Sequence, residues 1–191
     1  VPGVTPSPVP PPEMIERLPV PAIGLPELPS IRVPLYPDQN TWYNLISRFH
    51  ATWDLPDDVT GVATLLNNNP NSNPAVSEGL FESKNFAPLL DGIWYLHVRF
   101  RNNIGWGETA HYRISVDTIP PIPFNLNLQT EAVGDNPSPV LSYRSGDALS
   151  GLRHYMIQTS GMESQFTLEE SSVFDTLPPG EYIITVRAID N

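Results

Sequence analysis

Five basic or imidazole side chains stand at alternate positions in one short stretch: His97, Arg99 and Arg101, then His111 and Arg113. Residues two apart in a strand share a face, so two adjacent strands would gather all five on one side. The chain around them is acidic, with 21 acids against 10 bases and a formal net charge of −11. A cationic patch on such a background would suit an anionic glycan or an acidic neighbour. The plainer reading is a solvated sheet face whose cations pair with nearby acids and discourage edge-to-edge aggregation. His97 and His111 would share a metal if they sat opposite one another, but two ligands lack an evident third. Trp106, between Gly105 and Gly107, is the tryptophan expected at the surface, where it would stack on a sugar. The candidate interaction patch is therefore His97, Arg99, Arg101, Trp106, His111 and Arg113.

Other chemistry is weaker. Asp57-Asp58, Asp117 and Asp190 offer oxygen ligands near the expected joints, without the dense Asp/Asn series of a calcium loop. Glu169 and Glu170 would point to opposite faces of a strand, which is poor geometry for shared acid–base work. There is no Gly-X-Ser-X-Gly elbow, phosphate loop or His-Glu-X-X-His helix. Cysteine is absent, so disulfides, zinc–thiolate sites and thiol nucleophiles are excluded. No catalytic, cofactor-binding or metal site is expected, and the chain reads as a non-enzyme.

The elements that would position the patch are clear. In Ile93–Arg101, Trp94, Leu96, Val98 and Phe100 alternate with Tyr95, His97, Arg99 and Arg101, the pattern of a half-buried strand. Asp91-Gly92 opens it, and Asn102-Asn103 with Gly105 and Gly107 closes it. Ala110, Tyr112, Ile114 and Val116 form the apolar face of a second run, giving a hairpin. The pattern returns near the C-terminus. Gly92, Trp94, Leu96, Val98 and Arg99 match Gly180, Tyr182, Ile184, Val186 and Arg187, each 88 positions on. A self-match at roughly 90 residues has the size of a β-sandwich module, and predicts two in tandem.

The expected organisation has three parts. Residues 1–37 form a Pro-rich linker or docking arm: twelve of the 23 prolines precede Asp38, and polyproline II is their default. At most one helical turn is expected there, at Pro12–Arg17. Residues 38–118 form the first module, with strands around Trp42, Phe49–Trp53, Val62–Leu66, Phe81, Phe86, Ile93–Arg101 and Thr109–Val116. Asn67–Pro74 is a turn-rich loop. Residues 119–191 form the second module, with strands at Phe124–Gln129, Val140–Tyr143, His154–Gln158, Gln165–Leu168 and Tyr182–Ile189. Its final strand is missing, and the open edge must be filled in cis or in trans. Asp117–Pro123, with Pro120-Pro121, is the stiff joint.

The motifs resemble a known group. Leu177-Pro-Pro-Gly-Glu-Tyr-Ile-Ile-Thr-Val-Arg-Ala resembles the penultimate strand of fibronectin type III and related Ig-like modules. Asp147-Ala-Leu-Ser-Gly-Leu resembles the loop before the third strand of bacterial Ig-like modules. Asp117-Thr-Ile-Pro-Pro resembles the joints of repetitive bacterial surface proteins. Asp91–Arg99 with Asn103-Ile-Gly-Trp-Gly is similar to modules in large surface proteins of candidate-phyla bacteria. The resemblance implies an all-β fold of two tandem sandwiches and a spacer, stalk or carrier role, with no catalytic residues to transfer. The chain is expected to be a fragment of a larger extracellular or cell-surface protein. Its expected partners are proteins or neighbouring copies, and surface glycan. Nucleic acid is not expected, and a membrane only through segments outside this stretch. The alternatives are a filament subunit whose Pro-rich arm docks on the next copy, and a carbohydrate-binding module.

Overall fold

The computed structural model describes residues 21–133, 136–174, 177 and 180–191. The arm before Pro21, with the helical turn expected at Pro12–Arg17, lies outside the described residues. Every regular element among those described is a strand, so the chain is all-β. It divides into two compact units that meet between Thr118 and Ile119.

Among its described residues the first unit has six strands: β1 (Trp42–Tyr43), β2 (Phe49–Thr52), β3 (Gly61–Asn67), β4 (Ser83–Phe86), β5 (Gly92–Arg101) and β6 (Trp106–Val116). They form one sheet in the order β1-β6-β5-β3 and a second of β2 and β4. β5 and β6 are antiparallel, with Leu96 opposite Tyr112 and Trp94 opposite Ile114. β1 joins the far edge of β6 in parallel, Trp42 opposite Ser115. The two sheets share one core: Phe49, Ala51 and Phe86 from one, and Val62, Leu96, Val98, Phe100, Tyr112 and Ile114 from the other. Burying a side chain of this size contributes about 1.5–3 kcal/mol. Trp53 is also buried, its indole N–H donating to the Phe81 carbonyl at 2.7 Å.

The expected linker boundary at Asp38 does not describe this unit. Val33 and Tyr36 are almost fully buried in its core. Arg32 bridges antiparallel to Thr52 and forks onto Asp54 at 2.7 and 2.8 Å. The Tyr112 hydroxyl donates towards the carbonyls of Tyr36 at 2.8 Å and Pro37 at 3.0 Å. Proline between apolar residues suggests a linker, but Val33 and Tyr36 fill space between the sheets that no strand occupies.

The second unit has β7 (Asn127–Val133), β8 (Asn136–Ser142), β9 (Leu152–Thr159), β10 (Gln165–Thr167), β11 (Ser171–Val173) and β12 (Ile184–Asp190). One sheet runs β7-β8-β11, the other β10-β9-β12. Placing first, second and fifth strands together, and third, fourth and sixth together, is the sheet division of an Ig or fibronectin-type sandwich. The core is small: Leu141, Tyr143, Tyr155, Ile157 and Phe174. β7 begins after the expected Phe124, whose ring instead packs edge-on to Tyr155 at 6.0 Å. β11 is polar in sequence and carries no alternation to reveal it. The loop before β9 is tied by Asp147, whose Oδ1 accepts from the N–H groups of Leu149 and Gly151, both at 2.9 Å. Gly151 takes φ +75°, a conformation that other residues adopt only with strain.

All four tryptophans precede Thr118, so indole fluorescence follows the first unit alone. Tyr112→Phe removes the donor shared by the Tyr36 and Pro37 carbonyls and is expected to cost that unit about 1–2 kcal/mol in urea unfolding. A change within the scatter of the measurement would mean that residues 32–37 do not depend on this tie.

Candidate functional site

The register of β5 and β6 decides which candidate residues meet. His97 lies opposite His111, Tyr95 opposite Arg113, Arg99 opposite Thr109 and Arg101 opposite Trp106, with a bulge between Arg99 and Arg101. The six candidate residues therefore share one face of the larger sheet. Arg101 and His111 are exposed, and Arg99, Arg113 and Trp106 are half-buried. His97 is fully buried. The face is not the bare solvated surface that alternation predicts, because two segments fold over it.

The first cover is the Asn-rich loop after β3. Its turns are held by side chains two residues back: the Asn69 N–H donates to Asn67 Oδ1 at 3.0 Å, and the Asn71 N–H to Asn69 Oδ1 at 3.0 Å. Short amide side chains make such turns readily. The loop then crosses to β6, where Thr109 Oγ1 donates to Asn73 Oδ1 at 2.7 Å. Beyond it, the Glu78 N–H donates to the Val62 carbonyl, and the Val62 N–H to that of Gly79, both at 2.8 Å, which closes the free edge of β3. Glu78 is fixed by three donors. Its Oε1 accepts from Thr64 N and Thr64 Oγ1, and its Oε2 meets Lys84 Nζ on β4. Burial works against its charge, but the hydrogen bonds from Lys84 and Thr64 prevail and hold its pKa below the usual range. Nothing in the linear order of residues 64, 78 and 84 signals this cluster.

The second cover is the chain from Ala22 to Pro26, which wraps the β5–β6 turn. Asn102 Nδ2 donates to the Gly24 carbonyl at 2.7 Å and to Asp58 Oδ2 at 2.8 Å. A side chain at Gly107 would meet the Pro26 carbonyl oxygen at 2.6 Å, so only glycine lets this segment lie against β6. Between the two covers a groove of about 700 Å³ remains, lined among others by Leu25, Asn73, Arg99, Trp106, Glu108 and His111. The guanidinium groups of Arg99 and Arg101 lie 5.6 and 5.9 Å from the centre of the Trp106 ring, so the indole is engaged within the chain. Arg99 Nε also donates to the Gly107 carbonyl at 2.7 Å. Arg113 lies over Trp42 at 6.0 Å.

The two imidazoles meet through Nδ1 atoms 2.6 Å apart. His97 Nε2 is 3.1 Å from Asn67 Oδ1, which is also the acceptor for the Asn69 N–H. Asn67 Nδ2 is turned to Ser72 Oγ at 2.9 Å. Oδ1 is therefore the amide atom facing His97, and His97 must donate from Nε2. Its Nδ1 then accepts, so the His111 Nδ1 carries the proton between the rings. A second proton on His97 would place a charge in a fully buried ring beside a second imidazole. Burial and the neighbouring His111 accordingly hold His97 below the ordinary imidazole pKa, against a smaller opposite effect from the Asn69 backbone. Among the described residues no group of three or more His, Cys, Asp or Glu side chains comes together to hold a metal. Asp58 is taken up by Asn102, Asp117 is buried, and Glu170 pairs with Arg144 at 3.3 Å.

No family model and no curated protein matches the chain. Among solved structures, it is similar to the fibronectin(III)-like modules of Clostridium thermocellum CbhA, with a TM-score of 0.40 and 12% identity over 85% of this chain and 86% of that one. The sandwich architecture stands on the strand orders and cores of the two units themselves.

The sign of the His97 effect follows from its lowered folded pKa. As pH falls below about 6.5, the unfolded chain takes up a proton that the folded one refuses. The stabilisation is complete above the unfolded pKa and is lost as pH drops towards the folded one. Indole-monitored urea unfolding should show the first unit weakening as pH falls below about 6.5, with a slope of at most about 1.4 kcal/mol per pH unit. His97→Gln should flatten that slope, and a variant with an unchanged slope would remove His97 as its source.

Proposed function

We propose that this chain is a non-catalytic, extracellular structural module of a larger cell-surface protein, and that it acts as a stiff spacer. The observation that carries this reading is the way the joint is tied on both sides. Before it, the Thr118 N–H and hydroxyl both donate to Asp91, the residue that opens β5. After it, the Ile122 N–H donates to the Gly146 carbonyl at 2.8 Å, and Ser145 Oγ to the Ile122 carbonyl at 2.6 Å. Three residues lie between the two tied points, and two of them are Pro120 and Pro121, whose φ angles are locked. A joint this short favours transmission of position over independent motion. The absence of cysteine and the acidic surface suit display outside a bacterial cell. No helix among the described residues is long and apolar enough to cross a membrane, so attachment would fall to other segments of the protein.

The lack of cysteine makes a direct test straightforward. Spin labels introduced by Ser47→Cys and Glu163→Cys should report a narrow distance distribution. Pro120→Gly with Pro121→Gly should broaden it without altering the unfolding of either unit. A native distribution as broad as that of the double glycine variant would defeat the spacer reading.

The groove beside Trp106 supports a second reading, as a saccharide-binding module. It combines an indole with Arg99, Asn73, Glu108 and Thr109, the mixture of stacking surface and hydrogen-bonding groups that sugars require. On a glycan array the native chain should then retain one class of acidic saccharide, and Trp106→Ala should lose it. An array with no retained glycan would end this alternative while leaving the spacer reading untouched.

A further inference from the structure

The two units differ at one edge. In the first, β5 lies between β3 and β6. In the second, β12 is bonded to β9 and has no strand on its other side among the described residues. The consequence is visible in burial. Leu96 and Val98 of β5 are fully buried, whereas Ile184 and Val186, 88 positions on, are half-buried. The free side of β12 is not flush with solvent. It forms one wall of a groove of about 540 Å³, lined by Ile184–Ile189 on one side and by Pro120–Phe124 and Leu126 on the other. Ile122 and Leu126 are 61% and 43% exposed there, so the apolar surface has no cover. In the first unit the corresponding position, between β5 and β1, is filled by β6. The groove runs beside Ile184–Ile189 of β12, and β6 of the first unit shows the kind of strand that such an edge takes: antiparallel, with apolar residues on alternate positions.

We propose that the N-terminal arm of a second copy of this chain, Val1–Pro10, enters the groove as a strand antiparallel to β12. Sequence supports this occupant first. Pro6, Pro8 and Pro10 alternate with Ser7 and Val9, and Pro2 keeps the same phase. In a strand such alternation turns every missing N–H to one edge and leaves Gly3, Thr5, Ser7 and Val9 to donate from the other. The even residues, Pro2, Val4, Pro6, Pro8 and Pro10, form an apolar face, and Thr5 and Ser7 a polar one. Such a strand can pair with β12 by one edge only and cannot recruit a further strand.

The chain holds its own precedent. Pro6-Ser7-Pro8-Val9 recurs as Pro137-Ser138-Pro139-Val140, within β8. There Pro137 and Pro139 lie opposite Ala132 and Thr130 of β7. The Pro139 carbonyl accepts from Phe174 N, on the side away from β7, so the alternate prolines face that edge and the residues between them serve β7.

The root of the arm favours a second copy over the same one. The Ala22 N–H reaches Asn103 Oδ1 at the β5–β6 turn. Thr118, the last residue of the first unit, is bonded to Asp91 at the other end of the hairpin. The eleven residues of β6 separate the two ends, about 35 Å. The groove is lined by Pro120 and Pro121, just past Thr118, so the arm of the same copy would first have to run back the length of β6. Repeated, such a contact is heterologous, and it yields a chain of copies where its rotation does not close into a ring.

The test uses the full 191-residue chain, a chain lacking Val1–Pro10, and Leu126→Glu, which places a charge in the groove. The full chain should form concentration-dependent oligomers in light scattering and files of particles by electron microscopy. Loss of the arm or Leu126→Glu should each leave monomers. Mixing those two variants should restore dimers, since one retains the groove and the other the arm. A synthetic Val1–Pro10 peptide should shift amide signals of Ile184–Asp190 in the armless chain, and Leu126→Glu should weaken that binding by about tenfold or more. Assembly that survives removal of the arm would overturn the proposal in favour of direct β12 self-pairing. A monomeric full chain whose groove still binds the peptide would overturn it in favour of insertion within one chain. A groove that ignores the peptide would overturn it and leave the site to a different strand.

Discussion

A β-strand in the middle of a sheet satisfies its N–H and C=O groups on both sides, and it also presents one face to a core. In this chain β5 meets all of those demands at once. β3 and β6 take its two edges, and Leu96, Val98 and Phe100 on its inner face reach the partner sheet. The rest of the first unit is arranged around that strand. Its neighbours are closed in turn, β6 by the parallel β1 and β3 by the backbone of Glu78 and Gly79. The larger buried core lies beneath these closed edges. In the second unit β12 pairs with β9 alone among the described residues, and the core is smaller.

Covering a face also changes its chemistry. Five of the six candidate residues are cationic or imidazole side chains, and on a bare sheet they would make a continuous positive patch. The Asn-rich loop and the Ala22–Pro26 segment divide it. His97 is taken out of solvent and confined to one tautomer by Asn67, and Trp106 is engaged by two guanidinium groups. What remains accessible is a groove of mixed polarity rather than a charged surface. Amide side chains suit the covering role because they satisfy both their own turns and the polar groups beneath them without adding charge.

The sequence was legible where local pattern and tertiary demand agree. Period-two alternation in Ile93–Arg101 and Thr109–Val116 located β5 and β6, since each has one buried and one covered face of opposite character. Alternation also placed His97, Arg99, Arg101, His111 and Arg113 on a common side. It gave no warning of β11, whose Ser171 and Ser172 carry no apolar signal, and it set β7 too early because Phe124 is apolar for a different reason. Proline content made residues up to Pro37 read as a linker, yet Val33 and Tyr36 are core residues supplied by a segment without a strand of its own.

By itself, then, the order of residues determined the class of fold, the two strongest strands, the facing of their side chains and the absence of thiol chemistry. Those properties depend on neighbours one or two positions away and on which residue types are present. Only the tertiary structure decided what lies on top of the patch, which tautomer His97 holds, how Thr64, Glu78 and Lys84 come together, and that among the described residues β12 has an unpaired edge beside an apolar groove. Each of these depends on groups far apart in the chain being brought within a few ångströms, and that proximity is a property of the packed backbone and is not written in any local run of residues.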